Sequence, residues 1–246
     1  MAEYIWGRNP VLETLHSVRP VKRLLLAEGQ RDAPVTQAIV REAEQRGIPV
    51  EVVPRGRLDQ ISHGAVHQGC VALVAEREYV STDEILAYAE SRQEAPFLLI
   101  LDAIQDVNNL GSLLRTAEAA GVHGVIIPEH RSAEINATVV KTSAGATEHL
   151  RIAQETNLTR TIDALKKQNV WVAGLAGEAT TLYTQADLRG PLALVVGNEG
   201  KGMGRLVREH CDLLIKLPMY GYVNSLNAAV AGSIALYEAL RQRAKV

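Results

Sequence analysis

Aromatic residues are scarce in this chain. One phenylalanine, two tryptophans and seven tyrosines serve 246 residues, so Ala, Val and Leu must do most of the packing. Cysteine is nearly absent as well. Cys70 and Cys211 lie far apart, each in an apolar stretch, Gly-Cys-Val-Ala-Leu-Val and His-Cys-Asp-Leu-Leu-Ile. That excludes a disulfide scaffold and predicts two buried thiols in a reducing cytosol. A large excess of either charge is also missing. The net charge is −2, which excludes attachment to nucleic acid by bulk charge alone. Any such binding needs a local patch. Arg8, Arg19, Lys22, Arg23, Arg55 and Arg57 form one if the fold gathers them, and are otherwise scattered solvated charges. No pair of Cys or His has zinc spacing: His63 and His67 stand four apart, but Gly64 and Gly69 argue against a helix there, so no metal is expected. The N-terminus lacks a basic segment followed by an apolar one, and no apolar run reaches the roughly 18 residues of a membrane span. A cytoplasmic protein is expected.

What remains is an ordinary globular composition, 47% hydrophobic and 22% charged. Residues 1–77 read as a small α/β unit. Asn9-Pro10 is a helix start, residues 21–27, 48–53 and 69–75 are strands, and 33–46 is a helix stopped by Gly47. Residues 78–95 read as a linker holding one short helix, opened by the capping box Ser81-Thr82-Asp83-Glu84. From Pro96 to Val246 short apolar runs alternate with amphipathic stretches. Runs at 97–101, 124–127, 170–174, 192–196 and 213–217 are mostly unbroken rather than alternating, as in strands buried on both faces. Helices are expected at 109–120, 158–168 and 225–243. The class is α/β with a mostly parallel sheet.

Three segments of this second domain carry chemistry. The first runs from Leu101 to Ala117, a strand, a polar loop and a helix with Asn109 and Gly111 at its start. Open α/β sheets bind ligands at that end of their strands, and a helix N-terminus offers free N–H groups. Arg115, one turn in, is placed to reach a phosphate. The alternative is an Asn cap, a close-packing Gly and a solvated Arg. The second segment, Gly197-Asn198-Glu199-Gly200-Lys201-Gly202, follows an apolar run. Its glycines are spaced G-x-x-G-x-G, so the dinucleotide fingerprint G-x-G-x-x-G does not match and an NAD-linked oxidoreductase has little support. The third, Leu217-Pro218-Met219 through Ser225-Leu226-Asn227, leaves a strand and leads to a helix capped by Asn224 or Ser225. That helix is apolar nearly all round, so it needs burial in the core or against a second subunit.

Taken in order, these segments resemble the SpoU/TrmH family of RNA 2′-O-ribose methyltransferases, in the SPOUT superfamily. Trp6-Gly7-Arg8-Asn9-Pro10-Val11 and His67-Gln68-Gly69 extend the likeness to the RlmB-type branch, which methylates a guanosine ribose in 23S ribosomal RNA and carries a small ribosomal-protein-like RNA-binding domain. The resemblance implies a parallel-sheet domain with a deep trefoil knot, S-adenosylmethionine as cofactor, rRNA as substrate and a homodimer formed through the C-terminal domain. It implies Gly197, Leu217, Met219 and Leu226 at the cofactor, and Asn109, Arg115, Glu199, Ser225 and Asn227 as the polar catalytic set, with Glu199 anchoring Arg115 or the target nucleotide. One departure is Ala228-Ala229, where family members often have a bulkier residue and a serine. The same chemistry on tRNA is the alternative substrate. A non-catalytic rRNA binder is a further alternative, disfavoured because binding alone has no need of Asn109, Arg115 and Asn227.

Overall fold

A computed structural model describes residues 2–30 and 33–244. The chain divides into two units, Met1–Glu78 with Ile135–His149, and Tyr79–Glu134 with Leu150–Val246.

The first unit opens with β1 (Ala2–Trp6), α1 (Arg8–His16), β2 (Val21–Ala27), α2 (Pro34–Gln45), β3 (Val50–Val53), α3 (Arg55–Ile61) and β4 (Cys70–Ala75). Its sheet has the order β1-β4-β2-β3, with β4 antiparallel to both neighbours and β2 parallel to β3. Strand β1 was not expected from the sequence. The cap of α1 is Gly7, at φ 101°, rather than Asn9. Pro10 still falls in the first turn, where a missing N–H removes no helical bond. Gly7 N–H donates to the Cys70 carbonyl at 3.1 Å, and Arg8 N–H to Gln68 Oε1 at 3.0 Å. These bonds bring residues 6–10 and 67–69 together. His67 is buried. Its Nδ1 accepts from Gly69 N–H at 3.0 Å, so Nε2 carries the proton and donates to Asp59 Oδ1 at 2.9 Å.

The arginines of this unit do not form one free patch. Arg19 pairs with Glu3 and Glu148, Arg23 and Arg57 share Glu51, and Arg8 donates to Gln30. Each carboxylate gains more from a nearby guanidinium than the arginines would gain by clustering against their own repulsion.

The second unit begins with α4 (Thr82–Ser91), β5 (Phe97–Asp102), α5 (Val107–Ala119) and β6 (Gly124–Pro128). The capping box of α4 forms as expected, with Ser81 and Glu84 bonding reciprocally. Ile85 of α4 is fully buried in this unit's core and sits against Gly124, so the stretch read as a linker is part of a packed layer. The chain then returns to the first unit for α6 (Ala137–Thr142). There the fully buried Glu148 is held by Arg19 and Arg77. It re-enters the second unit for β7 (Ile152–Glu155), α7 (Leu158–Lys167), β8 (Trp171–Leu175), β9 (Thr181–Leu182), β10 (Leu192–Gly197), α8 (Arg205–His210), β11 (Leu213–Lys216) and α9 (Ala228–Arg243).

Seven strands lie in the order β7-β6-β5-β10-β8-β11-β9, and every neighbouring pair is parallel. All of β10 and all but the last residue of β5 and β6 are buried, which is why those runs show no alternation. Helix α9 packs on α5 and β10, with Gly232 against Leu113 and Val196. No described helix is long and apolar enough to cross a membrane.

Candidate active site

The three sequence segments meet at the C-terminal ends of the central strands. Asp106, not Asn109, caps α5: its Oδ1 accepts from Asn108 and Asn109 N–H at 2.9 and 2.8 Å. This frees the side chain of Asn109, which turns to Asn227. Helix α9 likewise starts later than expected. Asn227, rather than Asn224 or Ser225, is its cap, and its Oδ1 accepts from Ala229 and Val230 N–H at 2.9 and 3.2 Å. With the oxygen so engaged, Nδ2 is the donor to Asn109 Oδ1, at 2.9 Å.

Leu217, Met219, Ser225 and Leu226 line one cavity of about 120 Å³ together with Leu175, the last residue of β8, and Gly177 in the loop after it. The sequence reading missed that loop, although Gly174 and Gly177 at the end of an apolar run were its available signal. From Met219 to Leu226 no backbone N–H or C=O is hydrogen-bonded to another described residue, so the loop offers polar backbone groups beside an apolar wall. Tyr220 and Tyr222 of the same loop are fully exposed.

Gly197 does not line that cavity. It ends β10 with no room for a side chain, since a Cβ there would lie 2.2 Å from Met203 N and 2.3 Å from the Gly202 carbonyl carbon. The loop beyond is folded by Asn198, another residue the sequence reading did not single out. Its Oδ1 accepts from Gly200 N–H at 3.0 Å and its Nδ2 donates to the Ala103 carbonyl at 3.1 Å, tying the second segment to the first. Asp102 adds a second tie by accepting from Gly204 N–H at 2.6 Å.

Arg115 and Glu199 are exposed, and neither has a side-chain partner among the described residues. The anchoring of Arg115 by Glu199 is therefore not present: the two form no ion pair. Arg115 projects from the third turn of α5 as an unneutralised guanidinium, and Glu199 sits on the loop that Asn198 folds. Burial pushes the Cys211 thiol up to about 11 and the Cys70 thiol up to about 12, so neither is a thiolate nucleophile at neutral pH. Cys211 is only half-buried, a departure from the expectation of two buried thiols.

The comparison with known proteins decides the family. The SpoU rRNA Methylase family matches residues 96–237, and an RNA 2′-O ribose methyltransferase substrate-binding domain matches residues 4–80. The chain belongs to the SpoU rRNA methylase family. It is an RNA methyltransferase of the 2′-O-ribose type, and the family's methyl donor is S-adenosylmethionine. Among SpoU relatives, the TrmH-family protein YacO of Bacillus subtilis is 47% identical, over 98% of this chain and 96% of its own. The 23S rRNA (guanosine-2′-O-)-methyltransferase RlmB of Pectobacterium atrosepticum is 46% identical over 99% of both chains. The solved structure of an AdoMet-bound rRNA methyltransferase from Sinorhizobium meliloti superposes with a TM-score of 0.79 at 25% identity, covering 99% of this chain and 88% of that one.

The SpoU cofactor fits the site. An adenosine needs an apolar wall with nearby backbone donors and acceptors, and the cavity walled by Leu175, Leu217, Met219 and Leu226 provides both.

Proposed function

We propose that this chain methylates the ribose 2′-hydroxyl of a guanosine in 23S rRNA. The observation that carries the reading is the 46% identity to RlmB over 99% of both chains, including the N-terminal substrate-binding domain. Bound S-adenosylmethionine supplies a methyl made electrophilic by its sulfonium. Leu217, Met219 and Leu226 hold the donor, with Gly197 keeping the neighbouring loop close. The Asn109–Asn227 bond orders the loops on which the ribose is aligned, and Ser225 and Glu199 orient the nucleotide. A guanidinium with a pKa above about 12 is a poor base. Arg115 instead holds the phosphate beside the target ribose and stabilises the developing alkoxide, while the hydroxyl proton leaves to water.

The reading includes a trefoil knot. In its support, β11 lies between β8 and β9, which only residues 176–180 join, so the chain leaving β11 has to pass that short crossing before α9. It also includes a homodimer: Val230 and Tyr237, one face of the apolar α9, are 47% and 51% exposed and want a cover. The protein acts in the cytoplasm, where its RNA substrate is.

Labelled methyl transfer from S-adenosylmethionine to 23S rRNA fragments and to tRNA, followed by ribose-methylation mapping, tests the proposal. A single methylated guanosine in 23S rRNA is expected. Transfer to tRNA alone would move the substrate, and transfer to neither would refute the function.

A further inference from the structure

A second and larger cleft, of about 830 Å³, opens at the C-terminal ends of β5, β6, β7 and β10 and shares no lining residue with the methyl-donor cavity. It sits where the sheet changes direction. From β5 the chain moves through α5 to β6 and β7 on one side, while β10 and β8 lie on the other. Asp102 and Gly197 are register partners at that junction, and Asp102 and Asn198 line the cleft. Open parallel sheets hold ligands at this place, outside the carboxyl ends of the strands on either side of the reversal.

The chemistry of the walls is one-sided. His130, Arg131, Lys201 and Arg205 face it. The one carboxylate among the lining residues, Asp102, is already engaged by Gly204 N–H. Arg205 is paired with Glu209, but the side chains of His130, Arg131 and Lys201 are exposed and have no partner among the described residues. Arg131 is held at φ 66°, a left-handed conformation that disfavours an arginine on backbone grounds alone. Nothing in the fold rewards cations gathered here, since each repels the next. An anionic ligand would.

We infer that this cleft receives the phosphodiester backbone of the RNA strand next to the target ribose, with Arg131 and Lys201 as its phosphate contacts and His130 as a further donor. The inference rests on the reading that the substrate is RNA. It gives this acidic chain, whose N-terminal arginines are largely paired, a cationic surface at the strand ends of its second unit.

The test is equilibrium binding of RNA by Arg131→Gly, Lys201→Ala and the double variant between 50 and 200 mM salt, with S-adenosylmethionine titrated in parallel. Glycine is at ease at φ 66°, so Arg131→Gly removes the charge and relieves the backbone together. The RNA used is whichever the unaltered protein methylates. Each lost contact is expected to weaken binding about fivefold at 0.1 M salt and to reduce the slope of log K against log salt by about 0.7, with donor affinity unchanged. A double variant that keeps the affinity and slope for RNA overturns the assignment. So does one that loses donor affinity instead. In either case the unaltered protein's methyl transfer stands. An unaltered protein that methylates neither rRNA nor tRNA overturns both readings.

Discussion

The side-chain amide of Asn227 donates to Asn109 Oδ1 across 2.9 Å, joining two positions 118 apart in sequence. The same Asn227 caps α9 through its oxygen. One residue thus sets where the last helix begins and fixes the start of α5, the helix that carries Arg115. A stabilising role and a positioning role are superimposed on it, and substitution can separate them.

Asn227→Asp keeps an oxygen for the Ala229 and Val230 amides but cannot donate to Asn109. Its unfolding midpoint in urea should stay close to that of the parent, while kcat falls. Asn227→Ala loses both functions, and the lost cap should cost about 1–2 kcal/mol of stability. Equal stability losses in both variants would show that the bond to Asn109, not the cap, dominates.

Gly197 is a second place where a small change has a large expected effect. An added methyl would meet backbone atoms of Gly202 and Met203, which cannot rotate away as a side chain can. Gly197→Ala should destabilise by about 3 kcal/mol or more and abolish S-adenosylmethionine binding. Gly177 lines the donor cavity with nothing within 4 Å of its would-be Cβ, so Gly177→Ala should change stability by less than about 0.5 kcal/mol. Urea denaturation and calorimetric titration of the donor read both.

How much of this was legible beforehand depends on the range of the forces involved. Strands β5 and β10 could be read from Phe97-Leu98-Leu99-Ile100-Leu101 and Leu192-Ala193-Leu194-Val195-Val196, because burial on both faces writes an unbroken apolar run. Strand β9, with two residues, is too short for any periodicity, and β7, Ile152-Ala153-Gln154-Glu155, is apolar only in its first half. That residues 135–149 belong with the first unit is tied to Glu148 meeting Arg19 and Arg77, contacts that span 129 and 71 positions and leave no local trace. At the site, the order of motifs identified the family. The positions of the caps did not follow, since Asp106, Asn108 and Asn109 are all competent capping residues, and the bond that engages the Asn109 side chain comes from Asn227, far along the chain. The cationic cleft draws on four separate loops, and no spacing in the sequence encodes it.

Arg115 is exposed and unpartnered, so its replacement should leave the unfolding midpoint unchanged. Its proposed work is a two-pronged hold on a phosphate, which a lysine ammonium cannot reproduce. Arg115→Lys should lower kcat/KM by about 10- to 100-fold, the equivalent of one charge-assisted hydrogen bond at about 1.5–3 kcal/mol. Arg115→Ala should fall further. Near-normal turnover in Arg115→Lys would leave the guanidinium as a point charge and end the bidentate role.

The last helix also predicts an acid transition. Glu238 is buried on α9, accepting from Arg241 Nε and Nη2 and from Gln242 Nε2, each at 2.8 Å. Gln242 in turn donates to the Ala186 carbonyl and accepts from Leu188 N–H, so the cluster clamps residues 186–188 to the helix. The Arg241 bonds lower the Glu238 carboxyl to about 2, against 4.5 unperturbed. A carboxylate depressed in the folded state favours folding above its unfolded pKa, and that contribution fades as the pH drops from 4.5 towards 2. Because Arg241 is mostly exposed and screened, the effect should be on the order of 2 kcal/mol rather than the full value of the shift. Glu238→Gln cannot titrate. Its stability should be lower than the parent's at pH 7, and the gap should close between pH 4.5 and 2. If the parent and Glu238→Gln lose stability in parallel across that window, acid sensitivity lies in other carboxylates and the clamp does not depend on the charge.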